Sequence, residues 1–124
     1  MKSWQSCVVL QGDRSAGKIG FPTINLDPYV LKKTKEGIYA ALICYKKETY
    51  KGVLFYGPRL VKGEKENVLE IHILNFNENL YGKIVKFQIK DFIRKVRNFT
   101  TEKELVKQIK VDVKMASKSL NRLI

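Results

Sequence analysis

The hydrophobic pattern of this chain changes period once, near Thr101, and that change limits the possible folds more than any other feature. Before it, short runs rich in Ile, Val, Leu, Phe and Tyr alternate with turn-forming residues, which predicts strands. After it, apolar residues recur at three- and four-residue spacing behind the capping box Thr101–Glu104, which predicts one amphipathic helix. Several strands followed by one late helix indicate an antiparallel barrel or sandwich rather than a βαβ fold.

The predicted strands are 7–10, 37–45, 49–56, 67–74 and 84–92, with a short extended piece at 21–26. Pro22 excludes a helix through that piece because its ring fixes φ and its nitrogen has no proton to donate. The residues 46–48 predict a hairpin turn, and 75–79 a second turn. The predicted helix buries one face against the barrel, through Leu105, Ile109, Val113, Ala116 and Leu120.

Length and composition exclude several classes of protein. A chain of 124 residues with 44% hydrophobic residues is expected to form one domain, residues 1–124, with a real core. Cys7, Cys44 and the single histidine, His72, cannot supply the four ligands of a structural zinc site. No apolar run approaches the ~20 residues that span a bilayer, and we see no export signal. We therefore expect a monomeric cytoplasmic protein with no membrane partner.

The chain is strongly basic, with 24 Lys and Arg against 12 Asp and Glu and a formal charge of +12. Such a charge suggests an anionic partner, either nucleic acid, an acidic membrane or nucleotide phosphates. Residues 1–82 carry a net +4 and residues 83–124 a net +8. The helix contributes a basic stripe of Lys103, Lys107, Lys110, Lys114 and Lys118. We interpret this stripe as a solvated face rather than a nucleic-acid or membrane contact.

The segment Gly12–Lys18 matches the first seven positions of a phosphate-binding P-loop, but the match fails at the eighth position. A P-loop needs Ser or Thr there and a helix directly afterwards. Ile19 has no hydroxyl, and Gly20-Phe21-Pro22 prevents the helix. A glycine-rich loop carrying Arg14 and Lys18 could still cover phosphates through its amides and charges, and the alternative is a plain surface loop.

Thr23 and Asn25 lie two positions apart, so in an extended segment both side chains point to the same side. A hydroxyl and an amide oxygen are ligands suited to magnesium that carries nucleotide phosphates. The alternative is that both residues stabilise a turn beside Pro22.

Glu70 stands in a strand that is otherwise built largely of Val, Leu and Ile, and it shares a face with His72. A carboxylate in such a run is costly unless it is exposed or has a function. Glu70 is therefore either a general base for an attacking hydroxyl or, with His72, part of a wet outer face.

Read together, these motifs resemble riboflavin kinase over about residues 7–116. The resemblance rests on segments in a fixed order and spacing: 12–14, 20–26, 37–40, 50–53, 69–74, 80–82, Ile93-Arg94, Phe99, Leu105, Gln108-Ile109 and Asp112. The Pro-Thr-x-Asn segment at Pro22 and the Leu-Glu-x-His segment at Leu69 are its most specific parts.

The resemblance implies a six-stranded antiparallel Greek-key barrel with a C-terminal helix. It implies transfer of the γ-phosphoryl group of ATP to the ribityl 5′-hydroxyl of riboflavin, giving FMN and ADP. Thr23 and Asn25 match the positions that hold Mg²⁺ and the nucleotide phosphates, and Glu70 matches the catalytic carboxylate. Residues 12–20 correspond to a flap over the nucleotide, and residues 94–99 to a second flap that closes the flavin pocket with the start of the helix. The implied nucleotide-binding residues are Gly12, Arg14, Lys18, Gly20, Pro22, Thr23 and Asn25, and the implied flavin-binding residues are Arg94, Phe99 and Leu105.

The chain departs from the family pattern at two places. Leu60 and Val61 follow Gly57-Pro58-Arg59 where the family has Pro-Thr, and Asn75 stands where the family has Asp. The bacterial kinase is commonly fused behind an FMN adenylyltransferase domain, which 124 residues cannot hold. We therefore expect a stand-alone kinase or an excised module that does not make FAD alone. The alternatives are a basic barrel that binds single-stranded nucleic acid and a non-catalytic flavin-binding protein.

Overall fold

The computed structural model describes residues 3–12, 20–59 and 66–122. These residues form six strands, one short 3-10 helix and one α-helix. The strands are β1 (Gln5–Val8), β2 (Ile24–Leu26), β3 (Gly37–Tyr45), β4 (Glu48–Pro58), β5 (Asn67–Ile73) and β6 (Ile84–Arg94). The 3-10 helix spans Pro28–Leu31 and the α-helix, α1, spans Glu102–Asn121.

The strands form one antiparallel sheet in the order β1-β6-β3-β4-β5-β2. The consecutive strands β3, β4 and β5 lie side by side, and β6 returns to pair with β3, which is Greek-key order. An isolated bridge joins Leu10, just after β1, to Asn25 in β2, so the two ends of the sheet meet and the barrel is nearly closed. The predicted mainly β barrel with a C-terminal helix is confirmed.

The barrel has two hydrophobic clusters, one on each face of the sheet. Alternate residues of β3, β4 and β5 point into the barrel, where Ile43, Leu54 and Ile71 are fully buried. Ile38, Ala40 and their outward-facing neighbours form the second cluster beneath α1. The helix covers β3, β4 and β6 through Val113, Ala116 and Leu120. The outer face of these strands is therefore protein-covered near the end of α1.

The helix begins as the capping box predicts. Thr101 has extended backbone angles, and its hydroxyl accepts a hydrogen bond of 3.1 Å from the Glu104 amide. The Glu104 carboxylate accepts a hydrogen bond of 3.0 Å from the Thr100 hydroxyl, in place of the Thr101 amide that a full capping box would use. The five lysines of the predicted basic stripe are all exposed, as expected for a solvated face. Within the described residues, no helix is both long enough and apolar enough to cross a membrane.

The structure corrects several strand boundaries. β4 and β6 each extend two residues beyond the predicted ends, and β1 lies at Gln5–Val8 rather than 7–10. The hairpin turn contains only Lys46 and Lys47, both with positive φ (50° and 67°), and Glu48 already pairs with Tyr45. Asn75 also has positive φ (56°), in the turn that follows β5. Asn and Asp both tolerate this left-handed conformation better than most residues, so the departure from the family pattern at Asn75 is compatible with the turn.

The two cysteines differ in burial, and this difference predicts their reactivity. Cys7 is buried, and burial, followed by the nearby Asp27 charge, raises the pKa of its thiol. Because a raised pKa lowers the thiolate fraction at any given pH, we expect iodoacetamide at pH 8 to modify the half-buried Cys44 before Cys7. Mass spectrometry of tryptic peptides measures both rates. In a Cys44→Ser variant, the folded protein should stay nearly unlabelled, and rapid labelling of that variant would contradict this prediction.

Candidate functional site

The predicted base, Glu70, lies on the outer face of β5, but its side chain is largely shielded from solvent. Its side chain is only 14% exposed, and both of its carboxylate oxygens have partners. The Thr23 hydroxyl donates to Oε1 at 2.9 Å, and Arg59 donates to Oε2 from Nε at 3.0 Å and Nη2 at 2.9 Å. We call Thr23, Arg59 and Glu70 the Glu70 cluster. It joins β5 to the segment before β2 and to the residue after β4.

The pairing of β2 with β5 brings Asn25 to this cluster. Asn25 is the direct register partner of Glu70, and directly opposed residues of an antiparallel pair project from the same face. Gly12 approaches so closely that a Cβ added there would lie 1.9 Å from Asn25 Nδ2. Glycine is thus required at position 12 for Asn25 to keep its place.

His72, two residues beyond Glu70, fixes the segment that carries Thr23. Its Nδ1 donates to the Pro22 carbonyl oxygen at 2.8 Å, since that oxygen can only accept, and its ring meets Phe21 edge-on at 5.5 Å. Both contacts are made to the two residues that directly precede Thr23. The place of His72 is therefore that of a positioning residue for Thr23.

A cleft of about 320 Å³ adjoins the Glu70 cluster. Gly12, Asn25 and Arg59 line it together with apolar residues that include Leu10 and Pro28, and we call it the Gly12 cleft. Its volume falls at the lower end of the range for small-molecule sites, and Arg59 supplies a positive charge. The cleft can therefore receive an anionic ligand next to Glu70.

The donor atoms beside the cleft suit a hard divalent cation. The Thr23 hydroxyl, the Asn25 side-chain oxygen and the Glu70 carboxylate lie on one face, and oxygen donors of these kinds are the ligands that Mg²⁺ accepts. Among the described residues, no group of three or more His, Cys, Asp or Glu could hold a metal by itself. The residues present thus fit a cation that is shared with a ligand's phosphates, rather than one held by a protein cage.

An outer row of residues leads away from Glu70 on the same face of the sheet. Glu70 pairs with Phe55, Phe55 with Ile38 and Ile38 with Arg94, across β5, β4, β3 and β6. At about 4.8 Å between neighbouring strands, the row is roughly 14 Å long. It has a carboxylate at one end and an arginine at the other. Between them Phe55 is half-buried, and Ile38, which is 3% exposed, already lies beneath α1.

Arg94, at the far end of the outer row, belongs to a ring of contacts with α1. Its guanidinium holds the Asp112 carboxylate at 2.9 Å and 2.8 Å, and Asp112 is 2% exposed. Gln108 donates to Asp112 at 3.0 Å. The guanidinium groups of Arg94 and Arg97 lie 5.7 Å and 4.8 Å from the centre of the Phe99 ring. This network fixes the segment 94–99 against the helix.

The structure brings the predicted site residues into two groups. Gly12 and Asn25 line the Gly12 cleft, and Thr23 and Glu70 lie beside it, next to Asn25 and Arg59, with Pro22 adjacent through His72. Arg94 and the buried Phe99 meet at the start of α1, where Leu105 is half-buried. Gly20 lies in a turn with φ +92°. Arg14, Lys18, Leu60 and Val61 lie outside the described residues.

Two residues of these groups had been given no role from the sequence. Arg59 pairs with Glu70, and Asp112 carries the only buried carboxylate among the described residues. The sequence draws attention to Arg59 only beside a departure from the family pattern, and to Asp112 only as one of the residues that resemble the family. A lone Arg after a Gly-Pro turn and an Asp on a helix carry no signal of their own, since their partners lie 11 and 18 positions away along the chain.

The fold and site define a small antiparallel barrel with a polar cluster beside a cleft, and comparison with known proteins gives its family. The model of the family described as "Flavokinase: Riboflavin kinase" matches residues 4–120. The chain belongs to the riboflavin kinase family.

Individual relatives and solved structures match this chain over most of its length. A bifunctional riboflavin kinase/FMN adenylyltransferase of Mycoplasma pneumoniae is 34% identical over 113 residues, covering 90% of this chain and 40% of the relative. A Streptococcus pneumoniae structure, described as a macrolide-efflux protein, has a TM-score of 0.78 at 26% identity, covering 92% of this chain and 38% of that one. Riboflavin kinase from Trypanosoma brucei shares the fold, with a TM-score of 0.68 at 22% identity, covering 95% of this chain and 79% of that one. The chain spans less than half the length of the curated relatives it matches most strongly.

Proposed function

We propose that this chain is a riboflavin kinase that transfers the γ-phosphoryl group of ATP to the ribityl 5′-hydroxyl of riboflavin. One observation carries the proposal: Glu70 lies between the Gly12 cleft on one side and the apolar outer row on the other. A nucleotide in the cleft and a flavin along the row would bring their reacting groups to the same carboxylate.

In this reaction Glu70 accepts the proton of the ribityl hydroxyl. The hydroxyl oxygen forms a bond to the γ-phosphorus while the bond from that phosphorus to the bridging oxygen of ADP breaks. Phosphoryl transfer depends mostly on positioning and on neutralising charge, so a single carboxylate is sufficient as the base. Thr23 orients that carboxylate through its 2.9 Å hydrogen bond, and His72 holds the Thr23 segment in place.

Thr23 and Asn25 would hold a divalent cation, Mg²⁺, together with the nucleotide phosphates. When bound, the cation neutralises charge on the phosphates and keeps the γ-phosphoryl group in line with the hydroxyl. Gly12 and Gly20 bound the glycine-rich segment proposed to cover the nucleotide, with Arg14 and Lys18 as its cationic side chains. The half-buried oxygen donors of Thr23 and Asn25 support this role.

The flavin is proposed to lie along the outer row, with its ribityl chain at Glu70 and its ring toward Arg94. Phe55 provides the accessible apolar surface beside Glu70, Ile38 lies buried beneath α1 next to it, and Phe99 and Leu105 belong to the elements that would close over the ring. The Arg94–Asp112 pair supports this arrangement because it fixes the segment 94–99 beside the row.

A Gly12→Ala variant tests the cleft side of the proposal. The new Cβ would collide with the Asn25 side chain and turn it away from the cleft. We expect ADP affinity to fall about tenfold, the loss expected for a hydrogen bond to a charged group, with little change in stability. Isothermal titration calorimetry measures the affinity. Because the three atoms nearest to that Cβ all belong to Asn25, Asn25→Ala combined with Gly12→Ala should bind no more weakly than Asn25→Ala alone, and additive losses would contradict the cleft geometry.

The activity itself is tested by incubating the purified chain with riboflavin, ATP and MgCl₂ and separating the flavins by chromatography. We expect FMN to accumulate in proportion to ADP, with neither product formed when riboflavin or ATP is omitted. Flavin binding without any FMN would favour a non-catalytic flavin-binding protein. Binding of single-stranded nucleic acid that survives physiological salt, without flavin binding, would favour the basic-barrel alternative.

A further inference from the structure

Glu70 is the general base of the proposed reaction, and both of its carboxylate oxygens already accept hydrogen bonds in the structure. Glu70 Oε2 takes two hydrogen bonds from Arg59, and Oε1 takes one from Thr23. A carboxylate oxygen that already accepts two hydrogen bonds from a guanidinium is not available to a substrate hydroxyl. Turnover therefore requires that Arg59 release Glu70 Oε2 before the hydroxyl proton is transferred.

Arg59 also lines the Gly12 cleft, so it faces both Glu70 and the place where a polyphosphate would lie. A nucleoside triphosphate carries several negative charges, whereas Glu70 carries one. Guanidinium binds phosphate oxygens in the same forked geometry that it uses for carboxylates. A polyphosphate in the cleft would thus compete directly with Glu70 for Arg59.

The position of Arg59 in the chain allows such a movement. Pro58 is the last residue of β4 and the last to pair with β5, so Arg59 is not held by the strand ladder. Its side chain is 17% exposed, and that of Glu70 is 14% exposed. The ion pair is therefore partly shielded from water, which makes it stronger than a surface pair but still open to a ligand on the cleft side.

We propose that Arg59 couples the two substrates, because it holds the Glu70 carboxylate until a nucleotide polyphosphate in the Gly12 cleft draws the guanidinium away. This proposal rests on the proposed function. It adds that nucleotide binding prepares Glu70 for the flavin hydroxyl, so the nucleotide should raise the affinity for riboflavin, and riboflavin should raise the affinity for the nucleotide by the same factor.

The test measures riboflavin binding by flavin fluorescence, with and without the non-hydrolysable analogue adenylyl-imidodiphosphate and Mg²⁺. We expect the analogue to lower the riboflavin Kd of the wild-type protein by about tenfold. In Arg59→Gln, riboflavin alone should bind at least as tightly as to the wild type, because Glu70 is released, and the analogue should change its Kd by less than about twofold. A merely structural role for Arg59 would instead weaken riboflavin binding in the absence of nucleotide.

Two further variants sharpen the test. Arg122→Gln makes the same chemical change at an exposed position beyond the end of α1 and should keep wild-type coupling. Glu70→Gln should lose coupling, since its neutral amide does not hold Arg59. Coupling that survives in Glu70→Gln but not in Arg59→Gln would make Arg59 a phosphate ligand only and would overturn the proposal.

The outcomes also separate this proposal from the function on which it rests. Wild-type coupling retained in Arg59→Gln, or a wild type that forms FMN without any coupling, overturns the role of Arg59 and leaves the kinase activity standing. A wild type that neither binds riboflavin nor forms FMN overturns both.

Discussion

Glu70→Gln should lower the rate of FMN formation by about 10²- to 10⁴-fold, the range expected when a general base is removed. Gln keeps the shape of the side chain and can still accept from the Thr23 hydroxyl, but it cannot take up the hydroxyl proton. Riboflavin affinity should stay within a few-fold of the wild-type value because the apolar outer row is untouched. Steady-state kinetics and fluorescence titration separate the two effects.

The matched control for this variant is Glu48→Gln, at the exposed start of β4. It makes the same change of charge away from the Gly12 cleft and should retain wild-type turnover. Wild-type turnover in Glu70→Gln would remove Glu70 from the mechanism. A large loss in Glu48→Gln would show that the rate depends on net charge rather than on this carboxylate.

Asp112→Ala should have the largest effect on stability. It leaves the Arg94 guanidinium without the carboxylate that accepts its hydrogen bonds at 2.8 Å and 2.9 Å. Asp112 belongs to α1 and is 2% exposed. Breaking a buried ion pair in this way costs about 3 kcal/mol or more in the free energy of unfolding. For a domain of this size, the melting temperature should fall by roughly 10 °C. Urea denaturation and calorimetry measure both quantities.

The double variant Arg94→Met with Asp112→Leu provides the control. Replacing both charges with apolar side chains leaves neither unpaired, so the double variant should be more stable than Asp112→Ala. An exposed ion pair contributes up to about 1 kcal/mol to stability. If the unfolding free energy of Asp112→Ala lies within that amount of the wild-type value, the importance of this pair is contradicted.

Local patterns predict much of the fold. The bounds of β3 follow from its run of apolar, β-forming residues, and the capped start of α1 follows from one hydrogen-bonding motif; both signals act over a few residues. The 3-10 helix Pro28–Leu31, which Asp27 caps, was not predicted. The register irregularities between β3 and β6 were not predicted either, because they depend on how the whole barrel closes.

The site, like the fold, could be predicted where it depends on neighbouring residues and not where it depends on long-range pairing. Thr23 and Asn25 could be placed on one side of an extended segment from their spacing alone, and Glu70 stood out as a charge in an apolar run. Thr23 and Asn25 come close to Glu70 only because β2 pairs with β5, and these two strands lie far apart in the chain. The partner of Glu70 was not predictable for the same reason, since Arg59 reaches it only through the geometry of β4 and β5.

The central claim is that two substrates meet at Glu70 from opposite sides, and a crystal structure of the chain with ADP, Mg²⁺ and FMN tests it most directly. We predict the ADP phosphates in the Gly12 cleft beside Asn25, the FMN phosphate next to Glu70, and the flavin ring over Phe55 toward Arg94. A flavin ring inside the Gly12 cleft, or an FMN phosphate remote from Glu70, would contradict the account.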